Sequence, residues 1–333
     1  MSENGISDVY IQAVKSLYTG ITSSIKRGVK LSEEFPISKG LRQGCPIAPT
    51  LFKVYLKSAL RQWRRKCRNM GISIGNEKLF TLHFADDQVV FAEDEDDIGY
   101  MVRKLDEEYE AWGLKINMEK TEYLIVGSND RNNLILDQAE IKNVNSFKYL
   151  GVTVTESGSS EIEIKKRIGQ GRQVTRQLNG ILWNTHIRQE TKIRIYKTIV
   201  ESIVTYGAEV WEMTESLRGK LLSMEMGFWR RCCRLTLMDK IRNNEIRERI
   251  GVGITIIDTI DAKRLRWYGH VCRMDEDRWP KRLMTWIPTQ RRRRGRPRKT
   301  WKDGVTKAMS ERNLQDEDWR DRKRWKLGCE KRL

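Results

Sequence analysis

No stretch of this sequence stays apolar for the roughly 20 residues that crossing a bilayer requires, and nothing in it resembles a secretory signal peptide. Its six cysteines, Cys45, Cys67, Cys232, Cys233, Cys272 and Cys329, follow no regular spacing. That excludes the disulfide framework of small secreted domains, and reduced thiols are expected. A zinc site drawn from Cys232, Cys233, His270 and Cys272 would need paired spacings. Adjacent cysteines and a lone His-x-Cys do not supply them. Internal repeats are absent, which removes solenoids and propellers. No endonuclease motif is visible.

What is abundant is positive charge. The 333 residues carry 63 Lys plus Arg against 45 Asp plus Glu, a formal +18 with a pI of about 9.7. Such a balance points to an anionic partner, nucleic acid first and an anionic membrane surface second. The surplus is local: residues 262–333 hold 24 basic against 10 acidic side chains, a net of +14, leaving +4 for everything before. Hydrophobic residues make up 39%, enough for two or three modest domains with real cores.

Periodicity divides the chain. Ser7–Tyr18 reads as a helix with Ile11, Val14, Leu17 and Tyr18 on one face. Two strand-like runs, Thr22–Arg27 and Lys30–Ile37, flank Gly28 and predict a hairpin. A loop, Gly40-Leu-Arg-Gln-Gly-Cys-Pro46, precedes a helix from about Pro49 with Leu51, Val54, Tyr55 and Ala59 inward. Leu79–Phe91 predicts a second hairpin with Ala85-Asp86-Asp87-Gln88 at its tip. Asp94–Asp97 place negative charge at a helix start; Ile98, Met101, Leu105, Tyr109 and Trp112 form that helix's apolar stripe, and Gly113 ends it. Tyr123–Val126 and Phe147–Val154 read as strands. Beyond Gly158 the pattern turns helical: about 160–183, Thr191–Tyr206 with Ile193, Tyr196, Val200 and Ile203 on one stripe, 217–238 and 256–268. Residues 290–299 read as a basic low-complexity linker.

Two adjacent carboxylates at a hairpin tip repel each other unless a cation sits there. Asp86-Asp87 by itself is an ordinary acidic turn. Between two strongly apolar strands, expected to be buried, the pair suits divalent ions, which take carboxylate oxygens and serve phosphoryl transfer.

Phe84-Ala85-Asp86-Asp87 resembles the metal-binding hairpin of reverse transcriptases. Gly40-Leu-Arg-Gln-Gly-Cys-Pro-Ile-Ala-Pro-Thr-Leu-Phe52, Gly113-Leu-Lys-Ile-Asn117 with Lys120-Thr121, and Phe147-Lys-Tyr-Leu-Gly151 resemble further motifs of that family, in its order and approximate spacing. Tyr206-Gly-Ala-Glu-Val-Trp211, Arg266-Trp-Tyr-Gly-His-Val271 and Arg293-Arg-Gly-Arg-Pro-Arg-Lys299 resemble the C-terminal part of non-LTR retrotransposon enzymes, insect-type elements in particular.

The resemblance implies an RNA-directed DNA polymerase of α+β class. It implies a partial right-hand palm with an antiparallel sheet and helices over 1–125, and the palm end with a primer-grip hairpin over 126–155. A helical thumb and connector over 156–270 and a basic, Trp-bearing region over 271–333 follow. Its partners would be an RNA template, a DNA primer and deoxynucleoside triphosphates, with magnesium as cofactor and no membrane. Asp86 would hold the metal ions and Asp87 would be an auxiliary carboxylate. Arg42, Gln43 and Gly44 would line the template and nucleotide site. Lys120 would neutralise departing pyrophosphate or be a plain surface lysine. Phe147, Lys148, Tyr149, Leu150 and Gly151 would hold the primer end, a role compatible with core packing by Phe147, Tyr149 and Leu150. Ala48 stands where the family often has serine.

In that family a further aspartate lies on a strand before the helix found here at Ser7–Tyr18. Six residues precede this helix, and Asp8 reads as a helix-start residue. The expectation is therefore an N-terminally truncated copy with an incomplete two-metal site, inactive alone. The alternatives are a catalytically dead nucleic-acid-binding remnant and a fragment that does not fold stably. Arg293, Arg294, Gly295, Arg296, Pro297, Arg298 and Lys299 resemble an AT-hook, in which arginines enter an A·T-rich minor groove. The same run suits nuclear import, so the nucleus is favoured over the cytoplasm. Trp267, Trp279, Trp286, Trp301, Trp319 and Trp325 suit the core of a small helical subdomain better than base stacking. The sequence does not set the oligomeric state.

Overall fold

The computed structural model describes residues 1–127, 132–136, 139–287 and 299–330. They form helices and small antiparallel sheets, the α+β mixture expected. Two compact units result: Met1–Thr121 with Asn133–Lys142, and Glu122–Asn132 with Asn143–Leu333.

In the first unit, helix Asp8–Tyr18 buries no residue. The hairpin around Gly28 is present as two short ladders, Thr22–Ser23 with Phe35–Pro36 and Lys26–Arg27 with Lys30–Leu31. Helix Ala48–Lys66 starts with Pro49 in its first turn and ends on Arg64, Arg65 and Lys66, whose charges suit the negative helix end. Its buried stripe is Ala59, Leu60 and Trp63, continued by half-buried Leu56. Tyr55, expected inward, is exposed. It sits one position, about 100°, off the 56-59-60-63 stripe, and its ring instead meets Trp112 edge-on at 5.3 Å.

Asp94 caps helix Glu95–Ala111 by accepting the Asp97 N–H at 2.8 Å. Ile98, Met101 and Leu105 are buried, whereas Trp112, assigned to the same stripe, lies past the helix and is exposed. The two helices share a small core of Leu60, Trp63, Cys67, Met101 and Leu105. At its centre Trp63 Nε1 donates to the Met101 carbonyl at 2.8 Å, satisfying the one polar atom that a buried indole carries. Strand Leu134–Leu136, paired with Ala139–Asn143, adds Leu134 and Leu136 to the buried set.

The second unit begins with strand Glu122–Tyr123, which stops short of the expected end at Val126, an exposed residue. Phe147–Val154 is two strands rather than one: Ser146–Tyr149 folds back on Val152–Thr155 through a turn at Leu150-Gly151. Helices follow at Glu161–Gln177, Asn179–Leu182, Gln189–Ile195, Ser202–Val204, Glu215–Cys232, Asn243–Ile250 and Ile256–Cys272. A π turn, Tyr196–Glu201, lies inside the Gln189–Val204 run. Its extra residue per turn shifts the stripe. Tyr196, Val200 and Val204 are buried, while Ile193 and Ile203 are only half so.

The helix expected over 217–238 stops at Cys232, and Arg234 adopts a left-handed φ of 60°. Short helices at Trp279–Thr285, Trp301–Ser310 and Arg322–Glu330 complete the unit. There Leu265, Val305, Ala308, Met309, Trp325 and Cys329 make a second core, against which Trp301 and Trp319 pack. Trp286 is exposed. No helix of the described residues is long and apolar enough to cross a membrane.

Trp325 lies so close to Gly269 that a Cβ there would sit 2.3 Å from its Nε1. Overpacking of this kind costs about 1–3 kcal/mol. Gly269→Ala should therefore lower the thermal unfolding midpoint by several degrees in a melting curve; an unchanged midpoint would mean that Trp325 does not cover this helix.

Candidate functional site

Strands Thr81–Phe84 and Asp87–Val90 pair in the register Phe84↔Asp87, His83↔Gln88, Leu82↔Val89 and Thr81↔Val90. Only Ala85 and Asp86 form the loop. Ala85 takes a φ of 55°, the left-handed first position of a type II′ turn, where glycine is usual. The expected four-residue tip is thus a two-residue one: Asp86 is on the loop and Asp87 opens the return strand, both exposed.

The flanks, expected to be buried, are not. Leu82 is 38% and Phe84 62% exposed, on the same face as Asp87. The other face holds the hairpin down. Tyr109 OH donates to Gln88 Oε1 at 2.6 Å, Gln88 Nε2 donates to Thr81 Oγ1 at 3.3 Å, and Thr81 Oγ1 lies 3.1 Å from His83 Nε2. Burial, with nearby Arg64, pushes His83 down to about 4.

Arg42, Gln43 and Gly44 lie exposed on the loop that enters helix Ala48–Lys66, and the Arg42 carbonyl accepts the Cys45 N–H at 3.2 Å. Lys120 is exposed at the end of a one-turn helix, where its N–H donates to Asn117 Oδ1 at 3.2 Å. These groups and the Asp86-Asp87 hairpin belong to the first unit; Phe147–Gly151 belongs to the second. Phe147 and Tyr149 are half-buried, and Lys148 and Leu150 are exposed. Arg293, Arg294, Gly295, Arg296, Pro297 and Arg298 lie outside the described residues. Lys299 is exposed, 3.8 Å from Glu215.

Three residues that were not singled out by role grip the Leu150-Gly151 turn. Arg167 Nη2 donates to the Gly151 carbonyl at 2.5 Å, Tyr206 OH donates to the Leu150 carbonyl at 2.9 Å, and Glu163 Oε2 accepts the Thr153 N–H at 2.9 Å. Tyr206 carried a signal, since it opens the Tyr206–Trp211 motif. Glu163 and Arg167, four apart on a helix, look like a surface pair in sequence. Beside them is an open groove of about 620 Å³ bordered by Gln170, Gln173 and Gln177.

A divalent ion at the Asp86-Asp87 tip would need oxygen ligands around it. Hard divalent cations take oxygen ligands; magnesium keeps several waters and is held by one or two carboxylates together with substrate phosphates. Among the described residues no three His, Cys, Asp or Glu side chains come together as a metal-holding group. Asp86 and Asp87 are thus joined by no third such side chain among the described residues. The same finding leaves Cys232, Cys233, His270 and Cys272 without a zinc site, and all six cysteines are free thiols.

Residues 6–154 match the reverse transcriptase (RNA-dependent DNA polymerase) family. The chain carries a reverse transcriptase domain there, of a family that works on a nucleic-acid template with nucleotide substrates. Its relatives place that domain among those of non-LTR retrotransposons. A transposon-derived protein of Caenorhabditis elegans is 27% identical over 269 residues, 76% of this chain and 95% of the worm protein. The Pol polyprotein of the R2DM retrotransposable element of Drosophila melanogaster is 26% identical over 48% of this chain, and that of the R2 element of Nasonia vitripennis 26% over 38%. The matches span 16% and 13% of those two polyproteins.

His83 is held neutral in the fold, with a pKa below its free value, so its contribution to stability is complete above about pH 6.5. It is lost as the pH falls through about 4. His83→Gln should flatten the decline in unfolding midpoint across that window in a pH series; an identical decline in the variant would remove His83 as its source.

Proposed function

We propose that residues 1–155 supply part of a right-hand polymerase palm and its primer-grip hairpin. The helical region 156–270 is then the thumb and connector, and 271–333 a basic extension that contacts nucleic acid. Asp86 and Asp87 are the carboxylates for the magnesium ions of a two-metal site. Arg42, Gln43 and Gly44 border the template base and incoming deoxynucleoside triphosphate. Lys120 faces the leaving pyrophosphate. Phe147–Gly151 hold the primer end on an RNA template. The observation that carries this reading is the tight Phe84–Asp87 hairpin, which presents two adjacent carboxylates to solvent inside the matched domain.

The second reading, a nucleic-acid binder without chemistry, is favoured by the lack of a third metal ligand beside Asp86 and Asp87 among the described residues. Both readings share the binding step. We expect the chain alone to bind an RNA template–DNA primer, with affinity falling steeply as salt rises, and not to extend the primer.

Magnesium-dependent primer extension by the full chain and by Asp86→Ala tests this. No extension from either, with binding retained, is the expected result. Extension that vanishes in Asp86→Ala would mean that the carboxylate set is complete after all. Extension that survives the substitution would remove Asp86 from the site. A salt-insensitive affinity would count against the basic surface as the binding element.

A further inference from the structure

The turn at Leu150-Gly151 is held more firmly than a hairpin turn requires. Both loop residues have left-handed φ, 48° at Leu150 and 81° at Gly151, the geometry of a type I′ turn. Glycine adopts it freely; leucine does not, and a non-glycine residue there costs about 1 kcal/mol or more. Strain of this kind persists only where the surroundings over-determine it.

Here the surroundings are two helical segments. Glu163 and Arg167, one turn apart on Glu161–Gln177, pair through Arg167 Nε and Glu163 Oε1 at 2.5 Å. Glu163 is 1% exposed and Arg167 is buried. The other Glu163 oxygen takes the Thr153 N–H, and the other end of the guanidinium takes the Gly151 carbonyl. The Tyr206 hydroxyl takes the Leu150 carbonyl, and its ring lies under the Arg167 guanidinium at 4.7 Å. A Cβ on Gly151 would come within 3.3 Å of that ring. Three polar backbone groups around the turn, the Leu150 and Gly151 carbonyls and the Thr153 N–H, are thus each met by one side chain, and these three side chains brace one another.

We infer that Glu163, Arg167 and Tyr206 are positioning residues for the nucleic-acid contact made at Phe147–Gly151: they fix the turn in the one backbone shape that presents Lys148 and Leu150 to the primer end. This rests on the proposed primer-grip role of that hairpin. The clamp is costly in any other use. A buried acid must be paired with an arginine whose remaining hydrogens have acceptors, whereas a solvent-facing turn would fold well enough with Asn-Gly and no helix above it. Rigid support of the contacting loop is what a site needs to hold one strand end in place.

The test is the preference of the full chain for a primer end. Anisotropy titrations would use an RNA template annealed to a DNA primer with a recessed 3′ end, and the same duplex with blunt ends. The wild-type chain should bind the recessed end more tightly. Tyr206→Phe, which keeps the ring and removes only the bond to Leu150, should cut that preference by about tenfold, the scale of one or two hydrogen bonds. Its affinity for blunt duplex and its unfolding midpoint should barely change, which a merely structural role would not produce.

Arg167→Met alone leaves Glu163 buried and uncompensated, so Glu163→Gln with Arg167→Met in one chain is the companion variant and should lose the preference in the same way. If the wild-type chain prefers the recessed end and both folded variants keep that preference, the clamp is not a positioning device, while the primer-grip reading stands. If the wild-type chain shows no end preference, the primer-grip reading falls and the inference falls with it.

Discussion

The helical unit depends on never leaving a buried carboxylate alone. Glu163, Glu225 and Asp261 are each buried to within 2% exposure, and each meets an arginine: Arg167, Arg247 and Arg264. An unpaired carboxylate in such positions costs several kcal/mol, so these pairs dictate which elements can be neighbours. Glu225 draws Arg247 of the short helix Asn243–Ile250 and accepts the first N–H of helix Ile256–Cys272 at 3.1 Å. Asp261 accepts from Arg218 of Glu215–Cys232 at 3.3 Å, and Arg264 donates to the Trp211 carbonyl at 3.0 Å. Burial pushes Glu225 above the usual carboxylate range, and Arg247 offsets it only in part. At Glu163 burial pushes the same way, but hydrogen bonds from Arg167 and Thr153 more than cancel it and hold the acid low. Pairs of this type add less stability than apolar packing would; they fix one arrangement.

The first unit follows a different rule. Its central cluster is Trp63 with Leu60, Cys67, Met101 and Leu105, and the unit also exposes many large hydrophobic side chains. The carboxylate hairpin stands on that small base, tied by the Tyr109–Gln88 bond on one face and open on the other. Ala85 and Leu150 make the contrast concrete. Both are non-glycine residues in left-handed turns. Leu150 is locked from outside by helical side chains, whereas Ala85 is held only through the strands on either side of it. A turn secured from its flanks keeps its register, because the pleat sets it, but leaves its tip open to whatever ligand completes it.

Much of this could be read from sequence where local signals agree. Asp94, Gly113 and Pro49 mark helix ends by mechanisms confined to one turn, and each works as read. The alternation around Asp86-Asp87 gave the hairpin, but its burial was misjudged, because a strand's apolar residues reveal a potential face and not what covers it. Tyr55 was misplaced because Leu51 and Val54 begin a stripe that the helix rotates away from by Leu56. The Phe147–Val154 run looked continuous since leucine hides the turn that Asn-Gly would announce. The π turn at Tyr196–Glu201 left no trace, as its extra residue is a consequence of packing around Val200 and Val204. Glu163 and Arg167 were illegible for the plainest reason: an i, i+4 acid–base pair is the same string whether water or a β-turn lies above it.

Binding and chemistry make different demands on a chain. Two-metal chemistry requires ligands converging on a point, and the Phe84–Asp87 hairpin sets two adjacent carboxylates side by side. Binding to a polyanion requires only surplus positive charge spread along a surface. Among the described residues of 262–333, basic side chains such as Arg266, Lys299, Lys307, Arg320 and Arg324 are exposed around a core sealed by Trp325, Leu265 and Met309. Charge spread along a surface is insensitive to changes that would disrupt ligands converging on a point. The feature that then distinguishes a polymerase domain from a general polyanion binder is a rigid contact for one strand end, and the braced turn at Leu150-Gly151 has that form.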